Sequence, residues 1–137
     1  MHARKSLTVA LMDAPFESSR TATALRIIDC ALTRGVDVNV FAYEGAVLLP
    51  FRHQQPHANA VHGRDAAEED HPLPREWIAA LIGKAAEQGL RFDWINCGLC
   101  VDERGAAEAI DGTRRGTPAD LWKMACESDN VLIVPTA

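Results

Sequence analysis

The opening strand–helix–strand pattern constrains this chain more than any other feature. Leu7-Thr8-Val9-Ala10-Leu11-Met12 is a short apolar run, partly β-branched and too short for a free-standing helix, so it reads as a buried strand ended by Asp13-Ala14-Pro15. Ala22 to Thr33 then places Ala24, Ile27, Ile28 and Ala31 at helical spacing, with Leu25 and Leu32 widening the stripe. Ser18, Ser19 and Thr21 are available as caps and Gly35 as a stop. Val36 to Tyr43 alternates with period two, as a strand does. A strand, a helix and a strand joined by short connections make a βαβ unit, which implies a parallel sheet with helices packed on it.

The rest of the chain continues that alternation after one interruption. Pro74 to about Gln88 reads as a helix with Trp77, Ile78, Leu81 and Ile82 on one face and Gly89 after it. Leu90 to Asn96 forms a third strand ending at Cys97, Glu103 to Ile110 a short helix, and Asp111-Gly112 a turn. Thr117 caps a helix with Pro118 at its first position, running to about Glu127, and Asn130 to Val134 is a last buried strand. The expectation is an α/β fold, a three-layer α/β/α sandwich with a mainly parallel sheet of four to five strands. A single domain over residues 1–137 suffices, with residues 1–6 as a flexible N-terminus. The interruption, residues 50–73, is a long loop that holds His53, His57, His62 and His71 and the acidic run Glu68-Glu69-Asp70.

Composition narrows the function classes. A net charge of −5 with scattered basic residues argues against a nucleic-acid binder built on a basic face. No stretch approaches the ~18 apolar residues of a membrane helix, and the first apolar run is too short for a secretion signal. The expected location is the cytoplasm, where four cysteines are thiols with jobs or with burial rather than a disulfide framework. After the first strand, Asp13-Ala14-Pro15-Phe16-Glu17-Ser18-Ser19 lacks both G-x-G-x-x-G and a P-loop lysine. No cofactor is called for, although Ser18-Ser19-Arg20-Thr21 at a helix start is compatible with a phosphate such as that of FMN.

In parallel α/β sheets the working residues gather at the carboxyl ends of the strands. Cys97 stands there, followed three residues later by Cys100. Such a C-x-x-C is a redox couple, half of a zinc site, a nucleophile with a second thiol, or two packing residues. The chain supplies no second C-x-x-C for zinc, and a thioredoxin-type pair should follow an earlier strand. Arg104 can fold back towards the sulfur and favour its thiolate, whereas Asp102 and Glu103 oppose it. Asp13 and Glu17 flank the first strand's exit as rim carboxylates or helix caps. The histidines of the long loop are a possible metal or ligand site, or a solvated surface. Cys30 suits a subunit contact, Cys126 suits packing beside Trp122, and Trp77, Trp94 and Trp122 suit core or interface anchors.

Residues 97–105 read Cys-Gly-Leu-Cys-Val-Asp-Glu-Arg-Gly, a cysteine at a strand end followed by an Arg-Gly pair. This stretch resembles the DsrE/DsrF/TusD sulfur-relay family. The second strand's ending, Phe41-Ala42-Tyr43-Glu44-Gly45, and the closing passage Cys126-Glu127-Ser128-Asp129-Asn130-Val131 are similar to the family's as well. The resemblance implies a DsrE-like fold and a small sulfur-transfer protein that carries sulfane sulfur as a persulfide on Cys97. It implies sulfur donor and acceptor proteins as partners, and a homo-oligomer of three or six subunits. Cys100 departs from members that have a single thiol; it could share the sulfur, resolve it as a disulfide, or pack.

Overall fold

The computed structural model describes residues 4–57 and 72–136. Five strands, β1 (Ser6–Leu11), β2 (Asp37–Ala42), β3 (Phe92–Cys97), β4 (Thr113–Gly116) and β5 (Asn130–Val134), form one sheet in the order β4-β3-β2-β1-β5. Every neighbouring pair is parallel. The helices are α1 (Arg20–Thr33), α2 (Pro74–Glu87), α3 (Gly98–Arg104) and α4 (Pro118–Glu127), with a 3₁₀ turn at Glu44–Leu48.

Side-chain parity along the strands sorts the core into two layers. Val9 and Leu11 of β1, Val38 and Val40 of β2 and Trp94 of β3 meet Leu25, Ile28 and Leu32 of α1 and Ile78 and Leu81 of α2. Phe41, Ile95 and Cys97 point to the other face, against Val47, Val101 of α3 and Met124 of α4. Full burial of a leucine- or isoleucine-sized side chain contributes about 1.5–3 kcal/mol, so the larger α1/α2 layer supplies most of the hydrophobic driving force. Trp94 is fully buried and its indole N–H donates to Asn96 Oδ1 at 2.9 Å, while Asn96 Nδ2 donates to the Val47 carbonyl at 3.2 Å. That relay gives the buried Trp94 and Asn96 side chains their partners and anchors the 3₁₀ turn beside the end of β3.

Asp37 collects the amino ends of the strands, taking Arg4 Nε at 3.3 Å and the Arg91 amide at 2.8 Å. At the sheet's other side Ser6 N donates to Asp129 Oδ2 at 2.8 Å. Residues 4–6 are therefore tied into the sheet, with Ser6 opening β1, rather than belonging to a flexible N-terminus as expected; residues 1–3 of that expectation lie outside the described residues.

Three expectations along the chain are corrected. The short helix placed at Glu103–Ile110 is instead α3, Gly98–Arg104, and Gly105 ends it in the left-handed region at φ 61°. The last strand, expected to be buried, is β5 at one edge of the sheet, with Asn130, Val131 and Ile133 exposed and Leu132 and Val134 half-buried, because only β1 pairs with it. The stretch Thr113–Gly116, which its apolar pattern left unassigned, is β4, the opposite edge strand, whose Thr-Arg-Arg-Gly side chains are mostly solvated. No helix among the described residues is long and apolar enough to cross a membrane.

Candidate active site

Strand β3 delivers Cys97 to the carboxyl rim of the sheet. Its period of two turns Ile95 and Cys97 towards α3 and α4, away from Trp94 and Asn96. Cys97 is the residue before α3, in an extended conformation, and Gly98 begins the helix. A side chain at Gly98 would meet the Arg115 guanidinium at 3.2 Å, so the glycine lets that guanidinium lie against the turn. Arg115 donates to the Gly98 carbonyl at 3.0 Å and to Asp102 Oδ2 at 2.9 Å, fastening α3 to β4.

Within α3, three residues bring the chain round by nearly one turn, so Cys100 comes back beside Cys97. The two thiols are free of any disulfide and close enough to act on each other electrostatically. Their surroundings differ. Cys97 is 7% exposed and belongs to the apolar layer with Phe41, Val101 and Met124, whereas Cys100 is only partly buried. Leu99 between them stands 70% exposed.

The Cys100 sulfur accepts the backbone N–H of Glu44 at 3.2 Å. Glu44 has φ 52°, in the left-handed region that costs a non-glycine residue on the order of 1 kcal/mol. The chain leaves β2 through this residue into the 3₁₀ turn, with the Glu44 amide on the thiol. The next residue, Gly45, packs so closely on Ala14 that a Cβ there would lie 2.8 Å from the Ala14 Cβ. Burial pushes the Cys100 thiol up from its ordinary pKa; the Glu44 N–H pulls it down, and the Cys97 thiol and the Glu44 charge push it up further.

Arg104 does not turn to the sulfurs. Its guanidinium bonds the Glu44 carboxylate at 3.1 Å and lies 3.5 Å from that of Glu103. It acts on the thiols through Glu44, holding in place the residue whose amide faces Cys100. The carboxylates expected to oppose a thiolate are likewise occupied. The hydrogen bond from Arg115 holds the Asp102 carboxyl below its usual range, and Glu103 is paired with Arg104.

The exit of β1 joins this rim. A cleft of about 310 Å³ is lined by Asp13, Ala14 and Glu17 from that exit together with Glu44, Gly45 and Arg104. Asp13 is buried and accepts the Ser18 hydroxyl at 2.6 Å, and Ser18 Oγ in turn accepts the Arg20 amide at the start of α1. It is thus both a rim carboxylate and an indirect support of the helix start.

The long loop contributes less to the thiols. His53 pairs with Glu108 and its ring meets that of Phe51, while His57 meets the exposed ring of Phe16 edge-on at 4.8 Å. His62, His71 and the Glu68-Glu69-Asp70 run lie outside the described residues. Among the described residues no group of three or more His, Cys, Asp or Glu is arranged to hold a metal, so Cys97 and Cys100 find no completing ligands there. Cys126, expected to pack beside Trp122, is exposed, and Trp122 itself is 73% exposed. Only Met124 on α4 is buried: the helix packs on β1 and β2 through that residue, where the Thr8 hydroxyl donates to the Met124 carbonyl at 3.2 Å, and its other side chains are half-buried or exposed. Cys30 on α1 is exposed as well.

Two residues that complete the site carry no obvious signal in a sequence. Glu44 works through its main chain, and Arg115 sits on an edge strand. The one hint is the Glu44-Gly45 pair directly after a strand, where the glycine permits the close approach of the β1 exit.

Known proteins agree with this architecture. The sequence model described as the DsrE/DsrF-like family matches residues 5–133. The uncharacterized protein MK0008 of Methanopyrus kandleri is 31% identical over 128 residues, covering 92% of this chain and 91% of that protein. The uncharacterized protein MJ0989 of Methanocaldococcus jannaschii is 32% identical over 127 residues, covering 91% of this chain and 96% of that one. The crystal structure of the ychN protein from E. coli superposes with a TM-score of 0.69 at 23% identity, over 96% of this chain and all (100%) of that chain. MTH1491 from Methanobacterium thermoautotrophicum, a protein of unknown function, superposes at 0.61 with 12% identity, covering 96% and 100% of the two chains. A family match over nearly the whole length, with relatives 31% and 32% identical along most of the chain, leads to one conclusion: the chain belongs to the DsrE/DsrF-like family.

Proposed function

We propose that this protein is a sulfur carrier in which Cys97 takes up sulfane sulfur, holds it as a persulfide and releases it to the thiol of a partner protein. The observation that carries the reading is the placement of Cys97 at the carboxyl end of β3, beside a second thiol, in a chain of this family. Uptake is a thiolate displacement: the Cys97 sulfur attacks the outer sulfur of a donor R–S–SH, the donor leaves as R–S⁻, and Cys97–S–SH remains. Release is the same step with the partner thiolate as nucleophile, so no external oxidant or reductant enters. Burial of Cys97 supports storage, since an enclosed persulfide is shielded from the oxidation that reaches exposed sulfur.

The exposed apolar residues Val131 and Ile133 on the edge strand β5, and Trp122 on α4, support self-association of the chain. The adjacency of Cys97 and Cys100 also favours a second reading, a dithiol redox protein, which predicts a stable Cys97–Cys100 disulfide. Mass analysis after exposure to inorganic polysulfide separates the two. The carrier gains one sulfur on Cys97 and returns it to an added thiol, whereas the redox protein loses two hydrogens and keeps no added sulfur.

A further inference from the structure

The thiol assigned to hold the sulfur is the less accessible of the two. Cys97 is 7% exposed and enclosed by apolar side chains, whereas Cys100, one helical turn on, is partly open and follows the outstanding side chain of Leu99. A protein-borne persulfide has to bring its own backbone to the thiol it attacks or is attacked by, and the geometry of α3 presents Cys100 to it first. Cys100 also has what a transient carrier requires, a fixed donor on its sulfur. The Glu44 N–H stands 3.2 Å from Cys100 Sγ, on a residue of left-handed φ whose carboxylate is held by Arg104 at 3.1 Å. A preset donor stabilises negative charge on that sulfur without reorganisation when the sulfur becomes a leaving group.

We infer that the two cysteines form an internal relay, with Cys100 exchanging sulfur with partner proteins and Cys97 storing it. This rests on the carrier reading above and adds the route by which sulfur reaches a buried site. In the first step the Cys100 thiolate attacks the outer sulfur of a protein persulfide; the donor S–S bond breaks, the donor departs as its thiolate, and Cys100–S–SH forms. In the second the Cys97 sulfur, giving up its proton, attacks the outer sulfur of Cys100–S–SH. The bond from that sulfur to Cys100 Sγ breaks, and Cys100 departs as a thiolate held by the Glu44 N–H until it takes a proton. The sum of the second step is Cys97–SH + Cys100–S–SH → Cys97–S–SH + Cys100–SH, with no net oxidation or reduction. Delivery runs the same steps backwards. The exchange differs from resolution, in which Cys100 attacks the inner sulfur of the Cys97 persulfide, closes a disulfide and expels hydrosulfide.

The test uses the whole chain, persulfidated serum albumin as a bulky donor and inorganic polysulfide as a small one, with sulfur located by peptide mass analysis after rapid alkylation. The relay predicts that Cys100→Ser slows loading of Cys97 from the albumin donor by about tenfold or more while leaving polysulfide loading within about twofold, since only the bulky donor needs the outer thiol. It predicts that Cys97→Ser traps the added sulfur on Cys100. In the unsubstituted protein, time points taken before completion show sulfur on Cys100 ahead of Cys97, a measurement that stands even if the Cys97 substitution fails to fold. Loading of Cys97 in Cys100→Ser from albumin at the unsubstituted rate overturns the relay and leaves the carrier reading intact. So does accumulation of a Cys97–Cys100 disulfide with hydrosulfide release. Failure of Cys97 to take sulfur from either donor overturns both.

Discussion

Replacing Gly45 by alanine tests whether the packing between the 3₁₀ turn and the β1 exit sets the Glu44 amide on Cys100. A Cβ at this position would sit 2.8 Å from the Ala14 Cβ and 2.9 Å from the Ala14 backbone nitrogen. Carbon atoms in ordinary contact lie about 3.5–4.0 Å apart, so the two segments must separate by the better part of an ångström. The opposing atoms are backbone and a methyl group on a short loop, which cannot swing aside as a long side chain would. The Ala46 amide also bonds the Met12 carbonyl at 3.1 Å across the same seam, and the separation stretches it. Overpacking of this kind costs about 1–3 kcal/mol. For 137 residues, the usual unfolding entropy per residue turns that into a fall in Tm of roughly 3–10 °C. Thermal unfolding followed by circular dichroism reads the fall. Alkylation of Cys100 with iodoacetamide reads the displacement of Glu44, and the thiol of Gly45→Ala should react at an altered rate even at temperatures well below unfolding. An unchanged Tm together with an unchanged Cys100 rate would refute the claim that this contact positions the amide.

Three further outcomes follow from the same geometry. Burial holds Cys100 above the ordinary thiol pKa, so its alkylation should stay slow at neutral pH and rise only at pH above the usual thiol range; Cys97→Ser removes a neighbour that pushes it up and should move the rise to lower pH. The sign for stability is that this contribution is whole below the unfolded thiol pKa and is lost as pH climbs through the folded one; a rise at the same pH in both proteins denies the coupling. Arg115 holds the Asp102 carboxyl down, a contribution present above the unfolded carboxyl pKa and lost as pH falls through the lower folded value. The gap in urea midpoint between the protein and Arg115→Met should therefore shrink between pH 7 and about pH 2, and a gap of constant size assigns the effect to the Gly98 carbonyl contact instead. Finally, Trp122→Ser should shift sedimentation velocity profiles towards the monomer, and an unaltered assembly places the interface elsewhere.

The inner strands β1, β2 and β3 and the helices α1 and α2 were legible because they bury apolar residues at their natural periods. Strand β5 and helix α4 were legible from their apolar runs and caps, although most of their side chains stay partly or fully exposed. The strands β1, β2, β3 and β5 and the helices α1, α2 and α4 lie within a residue or two of where the pattern places them. Pro74 and Thr117-Pro118 marked two helix starts for a reason the structure repeats: Thr117 Oγ1 accepts the Ala119 amide at 3.2 Å, and Asp120 returns a bond to the Thr117 amide. Helix α3 escaped because it begins on glycine after a cysteine, without a capping side chain, and buries only Val101. Strand β4 escaped because an edge strand with two solvated arginines shows no apolar alternation.

The site was legible in part for a different reason. Cys97, Cys100 and Arg104 are chemically conspicuous, and the structure brings all three to one rim, though Arg104 serves Glu44 rather than the sulfur. Glu44 contributes a backbone amide, which every residue possesses, at a φ that its side chain disfavours. Nothing in residue type announces such a role. The burial difference between Cys97 and Cys100 depends on tertiary packing around α3 and was equally invisible.

The most direct test of the account is mass analysis of all four cysteines after brief exposure to inorganic polysulfide and removal of the excess. A Cys97 carrier gains one added sulfur, recovered mainly on Cys97, returned quantitatively to an added thiol, and absent from that position in Cys97→Ser. Sulfur spread evenly over Cys30, Cys97, Cys100 and Cys126, or found only on the exposed pair Cys30 and Cys126, would contradict it.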